Sequence, residues 1–253
     1  MSTVTVRNLT LGEGCPKVIV PLCEQSAAPL LAQARRLAQS EADLIEWRVD
    51  AMEKASQPDV LLALIPDVRA ALQDKPLLVT CRTERDGGEG PADTARYAAL
   101  CRAFCESGQL DLIDIELSAG ADIVRELTGA ARRNHIQSIV SWHNFSATPT
   151  QAEMVHKLCQ MQQLGADIAK LAVMPHSRAD VVDLLGATAE MADHHTQTPV
   201  ITVSMGALGE ISRLACEAFG SAATFASDGK SSAPGQPSLA RAKTVLEILH
   251  TAD

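Results

Sequence analysis

Residues 166–175 read Ala-Asp-Ile-Ala-Lys-Leu-Ala-Val-Met-Pro and set one lysine, Lys170, inside an otherwise apolar run of strand length. Lysine is rarely buried without a partner or a task. Burial penalises the ammonium form and lowers its pKa. A neutral amine attacks a ketone or aldehyde and forms a Schiff base. Taken alone, the residue reads first as an edge-strand lysine with its ammonium in water, because buried lysines are uncommon. The chain on either side of it decides.

Leu164-Gly165 closes a helical pattern just before the run, and Ser177 with Asp180 forms a cap pattern just after it. The same alternation repeats along the chain at about thirty-residue spacing, the length of a strand–helix unit. Strands are expected at residues 17–22 (KVIVPL), 43–49 (DLIEWRV), 77–82, 110–117 (LDLIDIEL), 136–142 (IQSIVSW), the Lys170 run, 200–204 (VITVS) and, weakly, 221–226 (SAATFA). Helical stripes fall between them, as with Leu30, Leu31, Ala34 and Leu37, or Leu61, Leu64, Val68 and Leu72. Pro91 is placed in the first turn of a helix ending at Ser107-Gly108, and Thr150 with Glu153 forms a capping box. Helices are also expected over 121–133, 207–218 and 239–250. Eight such units without a break in composition predict an α/β fold, one (β/α)8 TIM-barrel domain over residues 1–253, with a short N-terminal β-hairpin cap at 4–11. A doubly wound sheet is the alternative, but no G-x-G-x-x-G follows a strand and no P-loop is present.

Composition fits that choice. Hydrophobic residues make up 46% and aromatic residues only 3%, so the core packs on Leu, Val, Ile and Ala. A net charge of −9 argues against nucleic acid and anionic membranes as partners. The seven cysteines form no paired framework, and all read as reduced thiols. Asp, Glu and His are present, but no triplet has metal-site spacing, so neither metal nor cofactor is expected. With no leader-like N-terminus and no run of spanning length, a soluble cytoplasmic protein is expected.

Barrel active sites lie at the C-terminal ends of the strands. There the sequence places Glu46 and Arg48 on the second strand and Arg82 on the third, with Asp86 in the loop beyond. Asp114 and Glu116 follow on the fourth, His143 on the fifth and Lys170 on the sixth. The seventh leads to Met205 and Arg213, and the last loop carries Ser232 and Gln236. Each has a plainer reading. Glu46 and Arg48 share a strand face and would serve as a structural ion pair at the rim. Glu116 reads as structural pairing, and a single histidine is more often structural than catalytic. Charges inside a closing barrel are costly unless paired or used. Adjacent parallel strands lie about 4.8 Å apart, which lets His143 and Lys170 reach one substrate atom. An iminium on Lys170 would make the neighbouring C–H acidic, and a histidine of ordinary pKa near 6.5 is a suitable base. Asp86 and Asp114 are candidate supports for the imidazole, and Arg213 a carboxylate clamp. Glu46, Arg48 and Arg82 are suited to hydroxyls. The loop holding Gly229 and Gly235 has the composition of a lid.

Several blocks together are specific. Glu46-Trp-Arg-Val-Asp50, Val79-Thr-Cys-Arg-Thr83, Ser141-Trp-His-Asn-Phe145, Lys170-Leu-Ala-Val-Met-Pro175, Ser204-Met-Gly206, Ile211-Ser-Arg-Leu214, Phe219-Gly-Ser-Ala-Ala-Thr-Phe225 and Ser232-Ala-Pro-Gly-Gln236 resemble, in order, type I 3-dehydroquinate dehydratase. The resemblance implies a (β/α)8 barrel, usually a homodimer, in the shikimate pathway of aromatic amino acid biosynthesis. It implies a lyase that converts 3-dehydroquinate to 3-dehydroshikimate through a lysine Schiff base, without metal or organic cofactor. By position, Lys170 is the Schiff-base lysine and His143 the general acid/base. Arg213 and Gln236 hold the substrate carboxylate end, and Glu46, Arg48, Arg82 and Ser232 contact its oxygens or close over it. This sequence departs from the family at Asp86, where glutamate is common, at Pro21, where serine is frequent, and at Ala51, where histidine is frequent. Aspartate is one methylene shorter, so support of His143 is expected to be weaker, water-bridged or taken over by Asp114. Two other readings keep Lys170 or the pocket: a different Schiff-base lyase such as an aldolase, and a weakly active substrate-binding paralogue.

Overall fold

The computed structural model describes residues 2–250 apart from 54, 56 and 230. An antiparallel hairpin, β1 (Val4–Val6) and β2 (Leu9–Leu11), precedes eight parallel strands. These are β3 (Lys17–Leu22), β4 (Leu44–Arg48), β5 (Leu77–Thr80), β6 (Leu112–Glu116), β7 (Gln137–Asn144), β8 (Ile168–Val173), β9 (Val200–Ser204) and β10 (Ala223–Phe225). Their lateral order, β10-β3-β4-β5-β6-β7-β8-β9, is a single winding turn. Between β9 and β10 the ring closes through one bridge, Val200 to Ser221, with Ala222 N–H donating to the Val200 carbonyl at 2.8 Å. The predicted barrel and hairpin cap are both present.

Side chains alternate along each strand, so every second residue enters the barrel. At the level nearest the strand starts these are Ile19, Leu44, Leu78, Leu112, Ile139, Ile168, Ile201 and Ala223, all buried in one cluster. Val6 and Leu11 of the hairpin join that cluster and seal the barrel from below. One step up, the inward positions of neighbouring strands turn polar: Glu46, Thr80, Asp114, Ser141 and Lys170, all buried. An aliphatic floor thus carries a charged storey, with the apolar mass needed for folding kept apart from the groups available for chemistry.

The helices are α1 (Ala27–Ala38), α2 (Pro58–Leu72), α3 (Thr94–Ser107), α4 (Ala121–Arg133), α5 (Gln151–Gln163), α6 (Arg178–His194), α7 (Ile211–Leu214) and α8 (Leu239–Leu249). Both capping boxes form, at Thr150 with Glu153 and at Ser177 with Asp180. Two expectations are corrected. Helix α3 begins at Thr94, three residues after Pro91, because the Asp93 carboxylate caps it by accepting from Arg96 N–H at 2.8 Å. The helix expected over 207–218 is cut to the single turn of α7 and a 3-10 turn at Glu217–Phe219. Gly209 lies where a Cβ would stand 2.3 Å from the Ser204 carbonyl oxygen, and Ser212 Oγ accepts from Ser204 N–H at 2.8 Å. The chain is therefore held flat against the end of β9, and Arg213 is turned into the barrel mouth.

Candidate active site

Lys170 stands in mid-strand on β8, paired in register with Ser141 on β7 and Ile201 on β9. Its side chain is 7% exposed. Nζ donates to Asp114 Oδ2 at 3.3 Å and lies 4.6 Å above the ring of Phe225. Burial lowers the amine's pKa, and the Arg82 guanidinium pushes the same way against the pull of Asp114 and Glu46.

Arg82, just past β5, organises the charged storey. One terminal nitrogen reaches Asp114 Oδ1 at 2.9 Å, and the other reaches Glu116 Oε1 at 2.9 Å and Ser141 Oγ at 3.0 Å. Glu116 also accepts from the Thr83 N–H and hydroxyl, the structural pairing expected of it. Ser141 donates to Asp114 at 2.6 Å. Burial alone would raise the Asp114 carboxyl, but Arg82 and Lys170 hold it below the usual range. It is an anion shared by two cations.

His143 pairs in register with Ala172, two residues beyond the Ser141–Lys170 pair, so its side chain enters the barrel one step above the lysine. Asp86, in the 3-10 turn Glu84–Asp86, accepts from the His143 backbone N–H at 3.2 Å and meets Nδ1 at 3.3 Å. The shorter carboxylate therefore reaches the imidazole directly. Asp114 does not substitute for it, because both Asp114 oxygens are taken by Arg82, Lys170 and Ser141. Phe145 stacks on the imidazole with centroids 6.2 Å apart. Burial, reinforced by Arg82, Lys170 and Arg48, pulls the His143 pKa well below 6.5. Its surroundings favour the neutral ring.

These side chains open into one cleft of about 520 Å³, which also presents Glu46, Arg48, Met205, Arg213, Ser232 and Gln236. Asp86 and Asp114 stand behind its walls. Arg213 is 2% exposed, yet among the described residues it has no ion-pair partner. Its two terminal nitrogens donate only to the Phe225 and Pro234 carbonyls, at 3.5 and 3.2 Å, and Nε is buried without a hydrogen bond. Burial draws its pKa down to about 10. A buried guanidinium left unneutralised calls for an anion in the cleft.

Comparison with known proteins shows the family. The family model for type I 3-dehydroquinase matches residues 18–253. The chain belongs to the type I 3-dehydroquinase family. The 3-dehydroquinate dehydratase of Salmonella paratyphi B is 46% identical over 252 residues, covering both chains fully. The type I 3-dehydroquinate dehydratase of Clostridium difficile, solved with covalently modified comenic acid, is 40% identical and superposes with a TM-score of 0.95 over 98% of each chain. The enzyme of Enterococcus faecalis gives 38% and 0.92, over 98% of this chain and all of that one.

In this type I dehydroquinase the loop expected to act as a lid is docked. Gln236 Nε2 donates to Ser232 Oγ and Ser232 N–H to Gln236 Oε1, both at 2.9 Å, while the Pro234 carbonyl accepts from Gly206 N–H at 3.1 Å. Gly235 has φ +75°, and a Cβ there would fall 2.3 Å from the Gly206 carbonyl oxygen. Replacing Gly235 with alanine should lift the lid. Strain of this kind costs about 1–3 kcal/mol, or roughly 5- to 150-fold, which steady-state assays should show as a fall in kcat/KM with the melting temperature little changed.

Glu46 and Arg48 do not pair with each other. Two residues apart on a strand, their Cα atoms are about 6.6 Å apart. Arg48 instead reaches forward to Asp50 in a two-pronged contact at 2.9 and 2.7 Å, and Glu46 accepts from Thr80 Oγ1 at 2.8 Å. Asp50 also accepts from Arg82 N–H at 3.1 Å and Glu89 N–H at 3.3 Å, tying β4 and β5 to the glycine-rich loop. Sequence reasoning missed Asp50, although its place two residues after Arg48 was the available signal. It missed Phe145 and Phe225 as well, which aromatic scarcity alone marks as unusual at a cleft.

Proposed function

We propose that this enzyme dehydrates 3-dehydroquinate to 3-dehydroshikimate in the shikimate pathway, through a Schiff base on Lys170. The observation that carries the reading is the buried Lys170 amine, its pKa lowered, in one cleft with the neutral imidazole of His143 and the unneutralised Arg213. The lone pair of Lys170 attacks the substrate ketone carbon, the carbinolamine hydroxyl takes one proton from solvent and leaves as water, and a cationic iminium forms; that proton returns to solvent when the iminium is later hydrolysed. The iminium draws electrons from the adjacent carbon, and His143 removes its proton. The β-hydroxyl then departs as water, taking that proton from the imidazole. Hydrolysis of the conjugated iminium frees the enone product and restores the amine. Asp86 orients His143 as a positioning residue. Arg213 and Gln236 receive the substrate carboxylate, Glu46, Arg48 and Arg82 face its hydroxyls, and Met205 and Ser232 close over the ring.

A phosphosugar aldolase would need several phosphate donors, and the cleft offers one uncommitted guanidinium, which suits a single carboxylate. The test is turnover of 3-dehydroquinate followed by the absorbance of the conjugated enone. Tight binding without turnover would overturn the enzymatic reading. Arg213→Gln should cost about 2–5 kcal/mol in transition-state binding, or roughly 30- to several-thousand-fold in kcat/KM. Arg213→Lys should recover only part of this, since an ammonium lacks the planar fork.

A further inference from the structure

Three residues remote in sequence meet at the end of the barrel opposite the cleft. Cys15 lies just before β3, Glu217 opens the 3-10 turn before β10, and His250 follows the last turn of α8. One ligand atom from each lies within 4.8 Å of the others. We propose that Cys15, Glu217 and His250 form a zinc site that clips the start of the barrel to its end.

Four observations carry this. The donors are sulfur, imidazole nitrogen and carboxylate oxygen, a borderline-soft set that suits Zn2+ and not the hard cations Mg2+ or Ca2+. Zinc–ligand bonds of about 2.0–2.3 Å place tetrahedral donors roughly 3.3–3.8 Å apart, so donors already within 4.8 Å of one another need shift by only about 1 Å, the His250–Glu217 pair opening from its 2.6 Å contact to admit the ion. Charge balances as well, because a thiolate and a carboxylate neutralise the ion and the imidazole stays uncharged. Finally, Glu217 is half-satisfied. Its Oε1 meets His250 Nδ1 at 2.6 Å, but its Oε2 is buried and has no hydrogen-bond partner among the described residues. A buried carboxylate oxygen without a donor is costly, and a cation relieves that cost. The imidazole is about one-third exposed, which leaves the fourth position open to water.

Binding replaces the thiol proton of Cys15 with the metal and releases that proton to solvent. Burial raises the Cys15 thiol, with Glu217 and Asp43 adding to it against Lys17 and Lys243, so the metal has to displace a proton that the thiol holds. The place in the fold gives the site its purpose. Among the described residues the seam between β9 and β10 holds by one backbone bridge and a hydrogen bond from Thr202 N–H to Ser221 Oγ, and the 3-10 turn carrying Glu217 lies in the connection across it.

The experiment uses the full chain stripped of metal by a chelator. Cobalt(II) titration reads thiolate-to-metal charge transfer, and calorimetry reads zinc affinity and proton release. Expected are one equivalent bound, a charge-transfer band, and one proton released near neutral pH. In Cys15→Ser the band should vanish, and Cys15→Ser and His250→Ala should each weaken zinc by at least roughly 10- to 100-fold. Zinc should raise the melting temperature of the parent protein and not of Cys15→Ser, with dehydratase turnover alike in stripped and loaded enzyme. Absence of the band, or zinc uptake unchanged in Cys15→Ser, overturns the proposal. Neither reading depends on turnover, so the dehydratase assignment stands or falls separately.

Discussion

Lys170→Ala should abolish the borohydride-trapped adduct with 3-dehydroquinate and lower kcat by on the order of 10^4–10^6, the scale of losing a covalent nucleophile. The size follows from the surroundings. Asp114 and Arg82 are already committed to each other, and among the described residues no second amine faces the cleft to take over. In the parent protein, mass mapping after reduction should find the added mass on the peptide holding Lys170. An adduct on any other residue, with Lys170 unlabelled, would overturn the mechanism. Removing Lys170 also deletes one of the two cations beside Asp114, so Lys170→Met, which keeps the stem, is the better variant for separating chemistry from folding.

His143→Ala should behave differently. It spares the amine, so the Schiff base should still trap, while turnover falls by about 10^2–10^4, the usual contribution of a positioned acid/base. Unimpaired turnover would refute the assignment. The pH profile carries the sign. His143 must be unprotonated to accept the proton, and burial with nearby cations lowers its pKa below 6.5. The acidic limb of kcat/KM should therefore fall below pH 6.5. The same depression bears on folding. The unfolded chain binds a proton near pH 6.5 that the folded chain refuses, so the neutral imidazole's share of stability is present above that pH and is lost as pH falls through the window beneath it.

Much of this was legible in the chain because strands repeat with period two and helices with 3.6. Lys170 and His143 could be set on adjacent strands by counting units, and register then decides the rest: His143 pairs with Ala172, so both side chains point inward one step apart. The failures share a cause. Asp50, the partner of Arg48, lies in a 3-10 turn whose direction no periodicity encodes. The chain over 207–210 looks helical by composition, but packing of Gly209 on the Ser204 carbonyl overrides it. Whether an aspartate at position 86 reaches His143 depends on how closely its turn approaches β7, a distance set by tertiary packing and not by side-chain length. The convergence of Cys15, Glu217 and His250 was hidden because barrel closure brings the ends of the chain together.

The storeyed barrel interior has an evolutionary consequence. Every residue assigned to chemistry sits above a continuous aliphatic ring whose members do not line the cleft. Selection on turnover and selection on thermal persistence thus act on different positions of the same strands. A descendant lineage could exchange Ile for Val or Leu in the ring without altering reactivity, and could rewrite the upper positions without melting the barrel. Such a chain is a ready starting point for new carbonyl chemistry.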